Sequence, residues 1–223
     1  MLRSTALFLA CVVCGAGFAQ SDRRVERPEI RVGDAWKYRV TDRYTGLAHA
    51  VWVEVTSVTP DRIHTRSTRS SLGAGPAASE SGSLDVWDRD WNPIAQGTIE
   101  YKPPYPTLQF PLEPGKQWRG RAQWRVTNGS GIMQHDVTAR VAGWERVAVP
   151  AGTFEAMRVT RRGDFVESQT LNYYSAMGNI SDEIWYAPAL GQIVRKEILH
   201  RDFSNIRTAQ LSELWELLEF QRK

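Results

Sequence analysis

Apolar and polar residues alternate along most of this chain, which is the pattern of strands with one face buried. Trp36-Lys37-Tyr38-Arg39-Val40-Thr41 switches at every step. Val51–Val58 and Ile63–Arg69 continue in β-branched style on either side of a turn at Pro60-Asp61, and Leu84–Trp87 and Pro93–Ile99 read as two more strands. The clearest strand places Trp118, Gly120, Ala122, Trp124 and Val126 on one face and Arg119, Arg121, Gln123 and Arg125 on the other. Asn128-Gly129 then signals a hairpin, followed by strands at Asp136–Val141, Phe154–Arg161, Ile184–Tyr186 and Gln192–His200. Ser70–Ser83, rich in Ser, Gly and Ala, reads as a surface loop. Tyr101–Gly115 carries prolines at 103, 104, 106, 111 and 114, so it cannot be a central strand and is expected to be an extended crossover. At the C-terminus, Leu211, Leu214, Trp215 and Leu218 have amphipathic-helix spacing, although 214–220 also suits a closing strand; periodicity favours a short helix over 208–220.

The two halves repeat one another. Gly33-Asp34-Ala35-Trp36 matches Gly115-Lys116-Gln117-Trp118, Val51–Val58 matches Asp136–Val141, Ile63–Arg69 matches Phe154–Arg161, and Leu84–Trp87 matches Asp182–Trp185. An insertion in the Ala142–Gly152 connection accounts for the growing offset. The expected architecture is all-β: an antiparallel barrel or strongly curved sheet built from two similar four-stranded units, about 31–100 and 113–200, within one domain spanning 31–223.

The first residues change the compartment. Arg3, the apolar run Ala6–Val13 and small residues up to Ala19 form a secretory signal over 1–19, with cleavage after Ala19 and a polar leader over 20–30. The run is shorter than the ~20 residues a membrane span requires. Cleavage before Cys11, as in a lipoprotein, is the competing reading. Both cysteines, Cys11 and Cys14, fall inside the signal, so the mature chain is expected to lack disulfides and thiol chemistry. The formal charge of +3 falls by one with Arg3, too near neutral for a nucleic-acid footprint. No later stretch is apolar enough to cross a membrane as a helix. The expected location is the periplasm or the exterior.

Four motifs point to a family. Gly33-Asp34-x-Trp36-x-Tyr38, Gly115-Lys116-x-Trp118, Val149-Pro150-Ala151-Gly152-Thr153-Phe154-Glu155-Ala156 and Trp185-Tyr186-Ala187-Pro188-x-x-Gly191-x-Ile193 resemble secreted bacterial β-proteins grouped under a domain of unknown function, some labelled TapB-like and linked to pilus and surface assembly. The resemblance spans about 31–200. It implies an exported barrel-like domain and carries no catalytic residue. The motifs themselves are structural: Pro150 and Gly152 set a turn, Pro188 ends a strand, and Gly191 takes a backbone that a side chain would block.

The residues offer little chemistry. Asp88-Arg89-Asp90-Trp91-Asn92 opens like a calcium loop, but Pro93 replaces the turn glycine and Ile99 the closing glutamate, so a polar hairpin turn is expected. His49, His64, His135 and His200 show no zinc-ligand spacing, Gly129-Ser130-Gly131 is not a nucleophile elbow, and Asp164 with Glu167 singles out no acid–base pair. Neither catalytic residue, metal nor cofactor is assigned. Arg119, Arg121 and Arg125, with Arg140 across the sheet, are candidate contacts to an anionic surface; the alternative is the wet face of an amphipathic strand. Trp36, Tyr38, Trp118, Trp124, Trp185 and Tyr186 are candidate ligand-binding residues if the barrel is hollow, and core residues if it is filled. The functional expectation is a non-catalytic envelope protein, a binding or assembly module whose partner is an envelope protein on a strand edge. The alternatives are a carrier of an apolar or amphiphilic ligand in the barrel interior and a hydrolase with an unrecognised site, which loss of turnover on changing Asp164 or His135 would reveal.

Overall fold

The computed structural model describes residues 23–72, 81–129, 131–169, 175–203 and 210–223. The signal segment, both cysteines and most of the Ser70–Ser83 loop lie outside the described residues. The described residues form twelve antiparallel strands: β1 Ala35–Asp42, β2 Ala48–Val58, β3 Arg62–Ser70, β4 Ser81–Asp88, β5 Pro93–Gln96, β6 Ile99–Lys102, β7 Gln117–Val126, β8 Gly131–Val149, β9 Gly152–Gln169, β10 Ser175–Ala187, β11 Gln192–Asp202 and β12 Leu211–Gln221. Each strand pairs with its neighbour in the chain, and β12 pairs with β1 to close a barrel. The expected all-β barrel is therefore found, with more strands than the four per half read from the pattern.

Three expectations are corrected. The C-terminal segment is strand β12, not a helix. Lys37 opposes Glu219 while Tyr38 opposes Leu217, so Leu218 is the extra residue of a bulge. That bulge breaks the alternation and produces the helix-like spacing. Ala142–Val149 is the continuation of β8, bulged at Ala142, rather than an inserted connection; only Pro150 and Ala151 link β8 to β9. Pro93–Ile99 is likewise two short strands, β5 and β6, turning at Gly97.

The proline-rich stretch is also not a crossover. It connects β6 to β7, which pair side by side, and it fills the barrel instead of spanning it. Leu108 and Leu112 are fully buried, Phe110 packs edge-on against Tyr186 at 5.1 Å, and Tyr105 reaches the strand side chains of the lumen. Asn92 anchors this plug. Its Oδ1 accepts the Thr107 and Leu108 amides at 2.6 and 2.8 Å, and its Nδ2 donates to the Leu108 carbonyl at 3.0 Å. Gly120 sits on the facing strand, where a Cβ would come within 2.3 Å of Pro106 Cγ and 2.5 Å of its Cβ.

One end of the barrel is sealed. Trp36, Trp91, Tyr186, Leu108, Leu112 and Leu190 form its core, with Trp36 edge-on to Trp91 at 5.7 Å. Val25 bonds Leu112 backbone to backbone, and Ile30 completes the seal. Trp91 holds a left-handed φ of 61° because its ring is fixed between Trp36 and Trp87, and its Nε1 donates to the Gly191 carbonyl at 3.1 Å. Burial of one such aromatic contributes about 2–3 kcal/mol.

The turns that open β1 and β7 make the same bonds. The Gly33 amide donates to the Val55 carbonyl and the Gly115 amide to the Val141 carbonyl, both at 2.9 Å. Val55 N–H returns to Asp34 O at 2.8 Å, and Val141 N–H to Lys116 O at 2.9 Å. Both glycines have positive φ, 88° and 84°, which explains the Gly-x-x-Trp motif.

The outer wall is polar. Lys37–Glu219, Arg39–Glu216, Arg43–Glu197, Arg158–Glu145 and Arg162–Glu183 are outward ion pairs. A barrel facing lipid has an apolar exterior and a polar interior; around the sealed half of this barrel the arrangement is reversed.

Candidate functional site

The far half of the barrel, away from the sealed core, also places ionisable side chains at inward positions, beside a second buried apolar cluster of Met133, Val137, Phe165, Ala176 and Ile180. The β9–β10 register sets Arg161 directly opposite Asp182, and both point inward. The Arg161 Nη2 donates to Asp182 Oδ2 in a buried ion pair. Asp182 Oδ1 lies 3.6 Å from His200 Nε2. Burial opposes ionisation of Asp182, but the Arg161 charge and the His200 contact hold its carboxyl well below the usual carboxylate range.

His135 on β8 meets this pair through aromatic neighbours. Its ring is edge-on to Tyr105 at 5.3 Å and to His200 at 5.5 Å. Trp124 Nε1 lies 3.4 Å from His135 Nε2, and an indole N–H can only donate. Nε2 must therefore be the bare nitrogen, which leaves Nδ1–H to donate to Tyr105 Oη at 3.0 Å. A protonated ring would set two donors against each other. Burial, with the charges of His200 and Arg161, accordingly lowers the His135 pKa to about 3.

A pH dependence follows. The unfolded histidine titrates at 6.5 and the folded one at about 3, so its contribution is complete above 6.5 and is lost as pH falls toward 3. The slope is about 1.4 kcal/mol per pH unit for one proton. His135→Gln is expected to lose about 2–3 kcal/mol less than wild type between pH 7 and pH 4.5 in urea denaturation. Equal losses in the two proteins would show that His135 is not the titrating group.

Arg161 is only partly satisfied. Its side chain is 6% exposed, its Nε and Nη1 have no hydrogen-bond acceptor among the described residues, and its guanidinium sits 4.7 Å from the Tyr105 ring centre. Lys196 on β11 points into the same space, with its Nζ 4.3 Å from the Trp215 ring centre. Burial lowers its pKa to about 8 against the pull of Glu213.

The aromatic residues singled out from sequence do not form one site. Trp36 and Tyr186 are sealed in the closed half, Tyr38 donates to Ile193 O at 2.8 Å, and Trp118 fills the lumen. Trp185 lies on the outer wall, between Arg158 and Arg195 at 5.8 and 5.2 Å, with its Nε1 donating to Glu145. Only Trp124 touches the polar cluster. Arg119, Arg121 and Arg125 do face outward together; Arg121 pairs with Asp136 and Arg125 with Glu100, and Arg119 has no ion pair among the described residues. Asp164 accepts from Asn179 on the outer wall, on the opposite face from His135, so these two share no site. Asp88 accepts the Asp90 and Asn92 amides as the expected polar turn. Among the described residues no cluster of His, Cys, Asp and Glu is placed to hold a metal.

Sequence reading missed the Arg161–Asp182 pair and Lys196. The available signal was a charge at an inward position of an alternating strand: Arg161 follows Val159 by two residues, and Lys196 follows Val194 by two.

Outside the lumen, exposed apolar side chains also lie at the far end of the barrel, opposite the sealed one. Tyr44 and Leu47 lie between β1 and β2, Ile132 at the start of β8, Val166 and Met177 opposite each other on β9 and β10, and Phe203 after β11. Val32 and Phe220 are their counterparts at the sealed end. A groove of about 540 Å³ crosses the outer wall nearby, lined by Thr138, Arg162, Asp164, Asn179, Ser181 and Arg201.

No family model matches the chain. No curated protein matches it either. Two crystal structures share its architecture. One is a "putative lipoprotein" from Parabacteroides distasonis, 12% identical, with TM-score 0.51 over 88% of this chain and 99% of the other. The second is a "putative exported protein with YmcC-like fold" from Bacteroides fragilis, 15% identical, with TM-score 0.51 over 90% of this chain and all of the other. The likeness is one of fold. It covers most of this chain, so the fold is shared with other proteins and is not peculiar to this sequence.

Proposed function

We propose that this chain is an exported protein of the bacterial cell envelope that acts without catalysis, as a binding or assembly module, through the far end of its barrel. The observation that carries the reading is that Tyr44, Leu47, Ile132, Val166, Met177 and Phe203 are exposed at or near that end, while the walls carry ion pairs. Exposed apolar side chains grouped at one end suit a partner surface. Strand-edge docking is not part of the proposal, because β1–β12 pairing closes the sheet. The signal at 1–19 and the exported and lipoprotein descriptions of the two fold neighbours support the location. The motif resemblance to TapB-like proteins supports a role in surface assembly. The matching turns before β1 and β7 support the reading of the barrel as two repeated units, 31–100 and 113–200, each contributing strands to the far end.

Site-specific photo-crosslinking in intact cells tests the reading. A photoreactive residue at Leu47 or Met177 is expected to capture one discrete partner, and the same residue at Arg140 on the wall to capture none. The double variant Leu47→Ser/Met177→Ser, probed from Phe203, should lose that capture with Tm unchanged. Capture that is equal from the wall and the far end, or that survives in the double variant, would remove the far end as the contact surface.

A further inference from the structure

The far half of the lumen holds a buried cation whose hydrogen bonds are incomplete. Arg161 spends one nitrogen on Asp182 and leaves Nε and Nη1 without acceptors, although the side chain is more than nine-tenths buried. A guanidinium donor buried without an acceptor is among the costlier defects a folded protein can carry. The neighbours relieve it only in part. Tyr105 covers the guanidinium with its ring and interacts with it through its hydroxyl, and His200 Nε2 is itself buried 3.6 Å from Asp182 Oδ1. Lys196 adds a second cation on the next strand but one. Of the carboxylates at inward positions in this half, Asp182 is shared between Arg161 and His200, Glu213 accepts the Trp215 indole, Asp85 accepts the Ser67 and Ser83 hydroxyls and the Gly97 amide, and Asp202 follows His200 by two residues on β11.

We infer that Arg161 and Lys196 form a binding site inside the barrel for an oxyanion, a carboxylate or phosphate group. The missing element is an acceptor bearing negative charge, and oxyanions provide several acceptor oxygens on one centre. The sealed half explains why only a small group is accommodated: the plug, Trp36 and Trp118 fill the lumen beneath it. The site accepts a free anion or the head group of a lipid with equal chemistry. It is independent of the apolar far end, since none of its residues is among the exposed apolar side chains.

The mature chain tests this with two probes, inorganic phosphate and dihexanoyl phosphatidate below its micelle concentration, against potassium chloride at matched ionic strength. The expected result is a saturable rise in Tm with at least one probe, accompanied by a shift of the Arg161 Nε–H resonance in the ¹⁵N spectrum. Response to both probes identifies a free-anion site; response to the phosphatidate alone identifies a lipid head-group site. Lys196→Met is expected to weaken binding about tenfold, the loss of one charge-assisted contact. Arg161→Lys should weaken it further, because an ammonium does not replace the guanidinium nitrogens. The NMR signal is read on wild type, so it holds even if Arg161→Lys fails to fold. An unchanged Arg161 Nε–H resonance with both probes, or binding that Lys196→Met leaves intact, overturns the proposal.

Discussion

Asp182→Ala is expected to destabilise the barrel by about 3–5 kcal/mol, because it leaves the Arg161 charge buried without its counter-ion. The cost arises from what remains rather than from what is removed. The pair itself adds little net stability, since desolvating both partners offsets most of their attraction. The double variant Arg161→Met/Asp182→Leu should therefore lie much nearer to wild type than Asp182→Ala does. Guanidinium denaturation at pH 7 of all three proteins checks both statements. A loss below about 1 kcal/mol for Asp182→Ala would mean that water reaches Arg161 freely.

Asn92→Ala is expected to release the plug, at about 3 kcal/mol or more. The substitution orphans the Leu108 amide and carbonyl in a buried setting and leaves the Thr107 amide only its bond to the Tyr105 carbonyl at 2.8 Å, and each orphaned group costs about 1–3 kcal/mol. The plug has no strand ladder of its own to replace them. Hydrogen exchange separates local release from global loss. The Thr107 and Leu108 amides should accelerate far more than those of β8, whose ladders to β7 and β9 are untouched. Uniform acceleration would show instead that plug and wall open as one unit.

These two effects depend on features of unequal legibility. The inward and outward faces of β7 could be read directly, because Trp118, Ala122 and Trp124 alternate with arginines and nothing interrupts the period. The turns at Gly33, Gly115, Pro150 and Gly191 were legible because each backbone demands a particular residue. β12 was not, because one bulge at Leu218 shifts the phase and the segment's partners, β1 and β11, lie far away in sequence. The plug was half legible: five prolines exclude a strand, but exclusion does not say where a chain goes. Its place depends on Asn92, whose pattern resembled part of a calcium loop. The Arg161 cluster was least legible, since a charge at an inward position looks like an error of phase until Asp182 is found opposite it.

The seam between β1 and β12 bears on how the chain avoids its own copies. Its residues are separated by 177 to 182 positions, so it joins the first strand to the last and is among the slowest contacts to form. Until then two bare strand edges stand open to any β-prone neighbour. The outer face of β1 carries Lys37 and Arg39, and β12 answers with Glu219 and Glu216. An unfinished β1 meeting the β1 of a second molecule, or β12 meeting β12, would bring like charges together, whereas β1 meeting β12 joins opposites. The charges that decorate the closed seam thus act earliest, by steering a half-built barrel toward its own last strand.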